Sequence, residues 1–223
     1  IFDKSIFVKI VSPNFTLNDY KTQSEVTILK RLIKISEPEK YKKTLFIWPE
    51  GIFYESNLQD IKKYEYLFSE KFSENHLIIL GTNNFNNSLD QNNYKYFNSL
   101  VLLNNKLEVL SVYNKIKLVP FGEFLPLENF LSRFGFKKIT SGYNSFSPGI
   151  SRQVINLGKD FNKKSILPLI CYEIIYPGKI KKKEQLPDLI INISEDGWFG
   201  DSTGPYQHFS KAIYRAIEEG VFV

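Results

Sequence analysis

Cys171 is the only cysteine of the chain, and it stands where the apolar run Ile166-Leu167-Pro168-Leu169-Ile170 gives way to Cys171-Tyr172-Glu173. A thiol at the end of a strand, followed two residues later by a carboxylate, has the look of a nucleophile station. The thiolate attacks, and only a few per cent of an unperturbed thiol is ionised at neutral pH, so a working cysteine needs a base and a cation nearby. Two other segments offer them: Glu50 at the end of Leu45-Phe46-Ile47-Trp48-Pro49-Glu50, and Lys115 in Tyr113-Asn114-Lys115-Ile116-Lys117-Leu118-Val119-Pro120-Phe121-Gly122-Glu123. Each also has an ordinary reading. A lone cysteine is more often a core residue, Glu50 suits the first turn of a helix, and Lys115 resembles the surface lysine two positions on.

Several kinds of chemistry are absent. The two histidines, His76 and His208, lack the spacing of zinc ligands, and one cysteine adds too little for a zinc site. A Cys-His protease would have to recruit His208. There is no Gly-x-Ser-x-Gly elbow, Walker A loop or Gly-x-Gly-x-x-Gly fingerprint. An enzyme without metal or cofactor is the expectation that remains. The net charge of +5 is modest, and the densest basic cluster (Lys179, Lys181, Lys182, Lys183) has no interleaved aromatics, which argues against nucleic acid as a partner. A single cysteine forms no intramolecular disulfide and so does not decide the redox compartment.

The elements that must position these residues alternate. Ser5 to Val11 reads as a strand, Thr16 to Ile35 as a segment entering a helix with Val26, Leu29, Leu32 and Ile33 on one face, and Thr44 to Trp48 as a strand stopped by Pro49. Asn57 to Asn75 carries apolar residues at helical spacing, and His76 to Leu80 reads as a third strand. Tyr96 to Leu103 and Lys106 to Tyr113, separated by Asn104-Asn105, read as a hairpin; Asn84 to Asn93 before it reads as a flexible excursion. Arg152 to Leu157, Ile166 to Ile170 and Asp188 to Ile193 supply further strands, and Tyr206 to Glu219 a helix capped by Gly220. This order predicts an α/β fold in a single domain over 1–223. No stretch approaches the roughly 18 apolar residues of a membrane span, and no signal peptide opens the chain. The start at Ile1, the lack of methionine and the end at Val223 straight after a helix-like segment suggest a piece of a longer protein, with any membrane attachment outside it.

Four blocks in order, Trp48-Pro49-Glu50, Tyr113 to Glu123, Ile170-Cys171-Tyr172-Glu173 and Asn192 to Gly200, resemble the nitrilase (carbon-nitrogen hydrolase) superfamily. Leu118 to Leu127, Gln207-His208 and Arg215-Ala216-Ile217-Glu218 are similar to its apolipoprotein N-acyltransferase branch. The resemblance implies a four-layer α-β-β-α sandwich and a catalytic triad of Glu50, Lys115 and Cys171, without cofactor or metal. It implies a phospholipid acyl donor, an apolipoprotein acceptor, and attachment to the bacterial inner membrane with the catalytic domain facing the periplasm. It makes Glu123 a second acid bonded to the lysine or to the incoming amine. Tyr172 and Glu173 would support the site or touch substrate, and Asn98 falls on a family position. Glu195 stands where the family pattern has asparagine; if that position serves the pocket the extra charge alters acceptor binding, and if it faces solvent nothing follows.

A soluble amidase that passes the same thioester to water is the alternative, and a catalytically silent binding module a further one. The stretch Pro120 to Phe136 favours the acyltransferase, because Phe121, Phe124, Leu125, Leu127, Phe130, Leu131, Phe134 and Phe136 supply more apolar surface than a small amide requires. That stretch is expected to form a mobile apolar arm over the pocket.

Overall fold

Alternation along the strands sets the layers, because successive side chains of a strand point to opposite faces. The structure, a computed structural model, describes residues 6–86, 95–127, 130, 133, 145–178 and 186–223. Parts of the polar excursion before the hairpin, of the Pro120 to Phe136 arm and of the lysine cluster at 179–183 fall outside the described residues.

A six-stranded sheet has the order β1 (Phe7–Ile10), β2 (Thr44–Ile47), β4 (His76–Asn86), β5 (Lys95–Asn104), β6 (Val109–Asn114), with β3 (Phe53–Asn57) paired to the far part of β4. Strands β1, β2 and β4 run parallel, with Phe46 opposite Ile78 and Ile47 opposite Ile79; β4, β5 and β6 are antiparallel. A second sheet joins β7 (Ile155–Asn156), β8 (Ser165–Ile170) and β9 (Leu189–Ile193).

On one face of the large sheet Phe46, Trp48, Ile78, Leu80, Val101 and Leu103 pack with helix α2 (Glu25–Ser36) through Ile28, Leu29, Leu32 and Ile33, and with α3 (Glu65–Lys71) through Leu67 and Phe68. The opposite face, Leu45, Leu77, Ile79, Leu100 and Leu102, meets Ile166, Ile170, Ile191 and Ile193 of the second sheet. The remaining face of that sheet, with Leu167, Leu169 and Ile190, packs on Ala212 of helix α4 (Gly204–Glu219). The result is a four-layer α-β-β-α sandwich.

The structure refines several expected boundaries. The helix expected from residue 16 is two: α1 (Leu17–Thr22) starts at a Thr16–Asp19 capping box, the chain turns extended at Gln23, and Ser24 caps α2. The expected helix over 57–75 is shorter, because Phe53–Asn57 is taken up by pairing with β4 and residues 61–64 form a 3-10 turn before α3. Strand β4 runs on to Asn86 because β5 pairs with it along its whole length. The hairpin turn is wider than two asparagines: Asn104 Oδ1 accepts the N–H groups of Lys106 and Glu108, while Leu107, with φ 54°, buries its side chain. Helix α4 has Pro205 in its first turn and Gly220, φ 62°, at its end, as expected.

Candidate active site

Glu50 lies just beyond β2, where Pro49 has ended the strand. The loop that carries it crosses directly over β4 at Gly81. Gly81 N–H donates to Pro49 O at 3.0 Å, and Gly81 O accepts from Ile52 N at 3.1 Å. A Cβ at Gly81 would lie 2.6 Å from Glu50 Cα, so the approach requires glycine. Lys115 follows β6. Its N–H donates to Asn98 O and its carbonyl accepts from Gly149 N, both at 2.8 Å, and a Cβ at Gly149 would meet Asn114 O.

These backbone ties bring four polar side chains together. Lys115 Nζ donates to Glu123 Oε1 at 2.9 Å and stands 3.6 Å from Glu50 Oε1. Asn98 Nδ2 donates to the same two oxygens, at 2.7 Å to Glu50 and 2.8 Å to Glu123. Glu123 Oε2 accepts from Val119 N at 2.8 Å, which closes the turn that carries it, and Glu50 Oε2 accepts from Glu195 N at 3.2 Å. Lys115 is almost wholly buried. Burial alone opposes its charge, but the Glu50 and Glu123 carboxylates outweigh that and raise its pKa above the ordinary lysine value.

Cys171 sits at the end of β8 on the first residue of a 3-10 turn, Cys171–Ile175, with φ 48°. A non-glycine residue in the left-handed region costs on the order of 1–3 kcal/mol and persists only where its surroundings over-determine it. Glu173 supplies much of that determination from behind. Its carboxylate is fully buried and accepts from Ile170 N at 3.0 Å, Ile116 N at 3.0 Å, Lys117 N at 3.1 Å, the Tyr113 hydroxyl at 2.7 Å and Arg152 Nη2 at 2.7 Å. Glu173 therefore ties the Cys171 turn to the Lys115 segment and has no face turned to substrate. Tyr172, on the same turn, packs edge-on against Tyr176 at 5.4 Å between ring centroids.

Burial first, and then the Glu50 carboxylate, push the Cys171 thiol up to about 12, with Lys115 acting in the opposite direction. Cys171 thus rests as a neutral thiol beside a carboxylate rather than as a preformed thiolate. A free thiolate would place a new charge beside the Glu50 carboxylate, which opposes it. Handing the thiol proton to Glu50 as sulfur attacks a carbonyl avoids this, because the charge then moves onto the carbonyl oxygen instead of accumulating.

Sequence reasoning did not assign roles to Tyr113, Arg152, Ser194, Asp196 or Tyr20. The Ser194 hydroxyl lowers the Cys171 pKa against the effect of burial, and it donates to Asp196 Oδ1 at 2.6 Å. Asp196 in turn faces His208 Nδ1 at 2.9 Å. The only advance signal was that Ser194, Asp196 and His208 fall within the quoted blocks. Glu195 reaches Glu50 through its backbone; its half-buried side chain caps Gly197 N–H at 3.0 Å and accepts from the Tyr20 hydroxyl at 3.3 Å, and burial raises its pKa. Donor atoms of Cys171, Asp196 and His208 lie within 4.8 Å of one another. Both His208 nitrogens face oxygen acceptors, however, which makes the cluster a site for protons rather than for a metal ion.

The chain is similar to the apolipoprotein N-acyltransferase of Brucella suis biovar 1, 31% identical over 222 residues, covering 96% of this chain and 40% of the relative. It is 43% identical to the apolipoprotein N-acyltransferase of Rhodopseudomonas palustris over 125 residues, 56% of this chain and 23% of that protein. The chain thus spans less than half the length of these relatives. Among solved structures, the glutamine-dependent NAD+ synthetase of Acinetobacter baumannii covers 98% of this chain with a TM-score of 0.50 and 18% identity, while this chain covers 36% of it, a likeness of fold. Residues 15–223, which include Glu50, Lys115 and Cys171, match the carbon-nitrogen hydrolase family, and the chain belongs to that family.

Proposed function

We propose that the chain is a single catalytic domain that moves a fatty acyl chain from a membrane phospholipid, through a thioester on Cys171, to the N-terminal amine of a diacylglyceryl-cysteine apolipoprotein. Glu50 takes the thiol proton as sulfur attacks the ester carbonyl. Lys115 and the N–H of Tyr172 stabilise the oxyanion. Glu50 then returns the proton to the leaving lysophospholipid oxygen, and later accepts one from the incoming amine as the amide forms. Glu123 and Asn98 hold Lys115 and Glu50 in register: Glu123 accepts from Lys115 Nζ, and Asn98 Nδ2 links Glu50 to Glu123. Under this reading Cys171, Glu50 and Lys115 act on the reacting atoms, and Asn98, Glu123 and Glu173 position them.

The observation that carries the acyltransferase reading over an amidase is the surface next to the site. Glu123 belongs to a turn whose neighbours Phe121 and Leu127 hold their side chains out, 45% and 77% exposed, with φ of 63° and 50°, and Phe130 beyond them is 59% exposed. Leu125 of the same stretch is buried. Exposed apolar residues continuous with a catalytic turn suit an acyl chain or a bilayer surface, and a small polar amide needs neither. Among the described residues no helix is long and apolar enough to cross a membrane. Attachment to the bacterial inner membrane, facing the periplasm, belongs to this reading through segments outside the chain. The test is the full-length protein in detergent with a phospholipid and a diacylglyceryl-cysteine peptide. The reading expects an N-acylated peptide and a lysophospholipid; hydrolysis of small amides with no acyl transfer would establish the amidase instead.

A further inference from the structure

The peptide group joining Cys171 to Tyr172 has an N–H that, in the mechanism above, faces the oxyanion, and a carbonyl that points away from it. That carbonyl accepts from His208 Nε2 at 3.0 Å, while His208 Nδ1 lies 2.9 Å and 3.3 Å from the two oxygens of Asp196. A carbonyl and an ionised carboxylate offer only lone pairs. Neutral imidazole carries one N–H and can satisfy one of them; imidazolium satisfies both. The ring is buried, with its side chain 8% exposed, and packs against Phe199 at 6.3 Å. The titratable groups that face it are Asp196 from the 3-10 turn Asp196–Phe199, Cys171 and, further off, Glu50. The hydrogen bond to Asp196 raises the His208 pKa against the opposing effect of burial, and Asp196 itself is held below the usual carboxylate range because His208 and Ser194 outweigh its burial.

We infer that Asp196 and His208 form a charged strut that fixes and polarises the Cys171–Tyr172 peptide, so that its N–H is a stronger and better aimed donor to the oxyanion formed when Cys171 is acylated. Donation to the carbonyl draws electron density from the amide and strengthens the N–H on its other side, by roughly 10–30% per bond in condensed phase. The strut also meets a need set by the backbone, because Cys171 sits at φ 48° and requires ties on several sides. Glu173 holds the N–H of the residue before Cys171, and His208 holds the Cys171 carbonyl. His208 is a positioning residue and not the base, because imidazolium has no lone pair for the thiol proton. In the acylation step S–H and ester C–O bonds break, S–C and O–H bonds form through Glu50, and His208 exchanges no proton.

The inference rests on Cys171 as nucleophile, and the experiment separates the two. Full-length wild type and variants are acylated in single turnover with p-nitrophenyl butyrate, followed by nitrophenolate release, and alkylated with iodoacetamide, a reaction that builds no oxyanion. His208→Ala should acylate about tenfold or more slowly, at unchanged KM for the ester, with alkylation within about twofold of wild type. His208→Gln places an amide N–H near the Nε2 position and should recover most of the rate. The raised His208 pKa means the strut is complete at low pH and is lost as pH rises through that pKa. Asp196→Asn should therefore move the alkaline decline of acylation to lower pH. Wild-type rates in His208→Ala, a Gln variant as slow as Ala, or an unmoved alkaline limb in Asp196→Asn would overturn the strut alone. A wild type that forms no adduct at Cys171 would overturn the nucleophile and the strut together. If His208→Ala does not fold, the Gln and Asp196→Asn variants decide the question.

Discussion

Glu50→Gln isolates the base from the architecture around it. Glutamine keeps an oxygen at Oε1 to accept from Asn98 Nδ2, now 2.7 Å away, and places an uncharged amide where Oε2 faces Glu195 N. The variant should fold. With the Cys171 thiol at about 12, only about one molecule in 10⁵ would be a thiolate at neutral pH, a penalty on the order of 7 kcal/mol if attack had to wait for it. Removing the Glu50 charge relieves part of this, since burial is the larger cause and Glu50 the second. General-base catalysis contributes about 10²–10⁴-fold, and acylation of Glu50→Gln is expected to fall by about 10³-fold at neutral pH. The pH profile is the sharper readout. Wild type should gain no rate as pH rises above neutral, and should decline as His208 loses its proton. Glu50→Gln should gain about tenfold per pH unit, because only preformed thiolate then reacts. The assay is single-turnover nitrophenolate release from an activated ester, with thermal unfolding as a control. A folded Glu50→Gln that acylates within tenfold of wild type and shows a flat profile would refute the neutral-thiol, carboxylate-base mechanism.

Gly81→Ala pushes a Cβ to within 2.6 Å of Glu50 Cα, and should lower acylation more than it lowers thermal stability, as comparison of rate with melting temperature would show. Glu173→Ala removes the buried acceptor shared by Arg152 Nη2, the Tyr113 hydroxyl and three backbone N–H groups; it should cost about 3–5 kcal/mol in urea unfolding, and a loss below about 1 kcal/mol would contradict that role. Glu123→Gln weakens the hold on Lys115 without unfolding the protein, so acylation should slow while the melting temperature stays near wild type; unchanged turnover would remove Glu123 from the site.

The layers were legible because they follow from local pattern. Alternating apolar residues in β2, β4, β5 and β8, the helical stripe of α2 and the Pro205 and Gly220 punctuation of α4 each report a face that must be buried. Residues 53–57 were not legible, since their strand character depends on an edge that β4 offers only once the sheet exists. The site divides in the same way. Glu50, Lys115 and Cys171 each follow a strand, but taken singly they read as a cap, a surface lysine and a core thiol, and it was the resemblance that singled them out, together with Asn98 and Glu123. Tyr113 and Arg152 are set by Glu173, a buried carboxylate whose partners come from segments tens of residues away, and no local pattern announces them. The same holds for His208, which reaches Cys171 across 37 positions.

The central claim is a covalent acyl group on Cys171, and intact mass spectrometry tests it most directly. Full-length protein incubated with phospholipid but without an acceptor should accumulate one added acyl chain, because the second half-reaction lacks its amine and a buried site hydrolyses a thioester slowly. Neutral hydroxylamine should remove the chain, and Cys171→Ala should never acquire it. An acyl adduct on another residue, or undiminished acyl transfer by Cys171→Ala, would contradict the account.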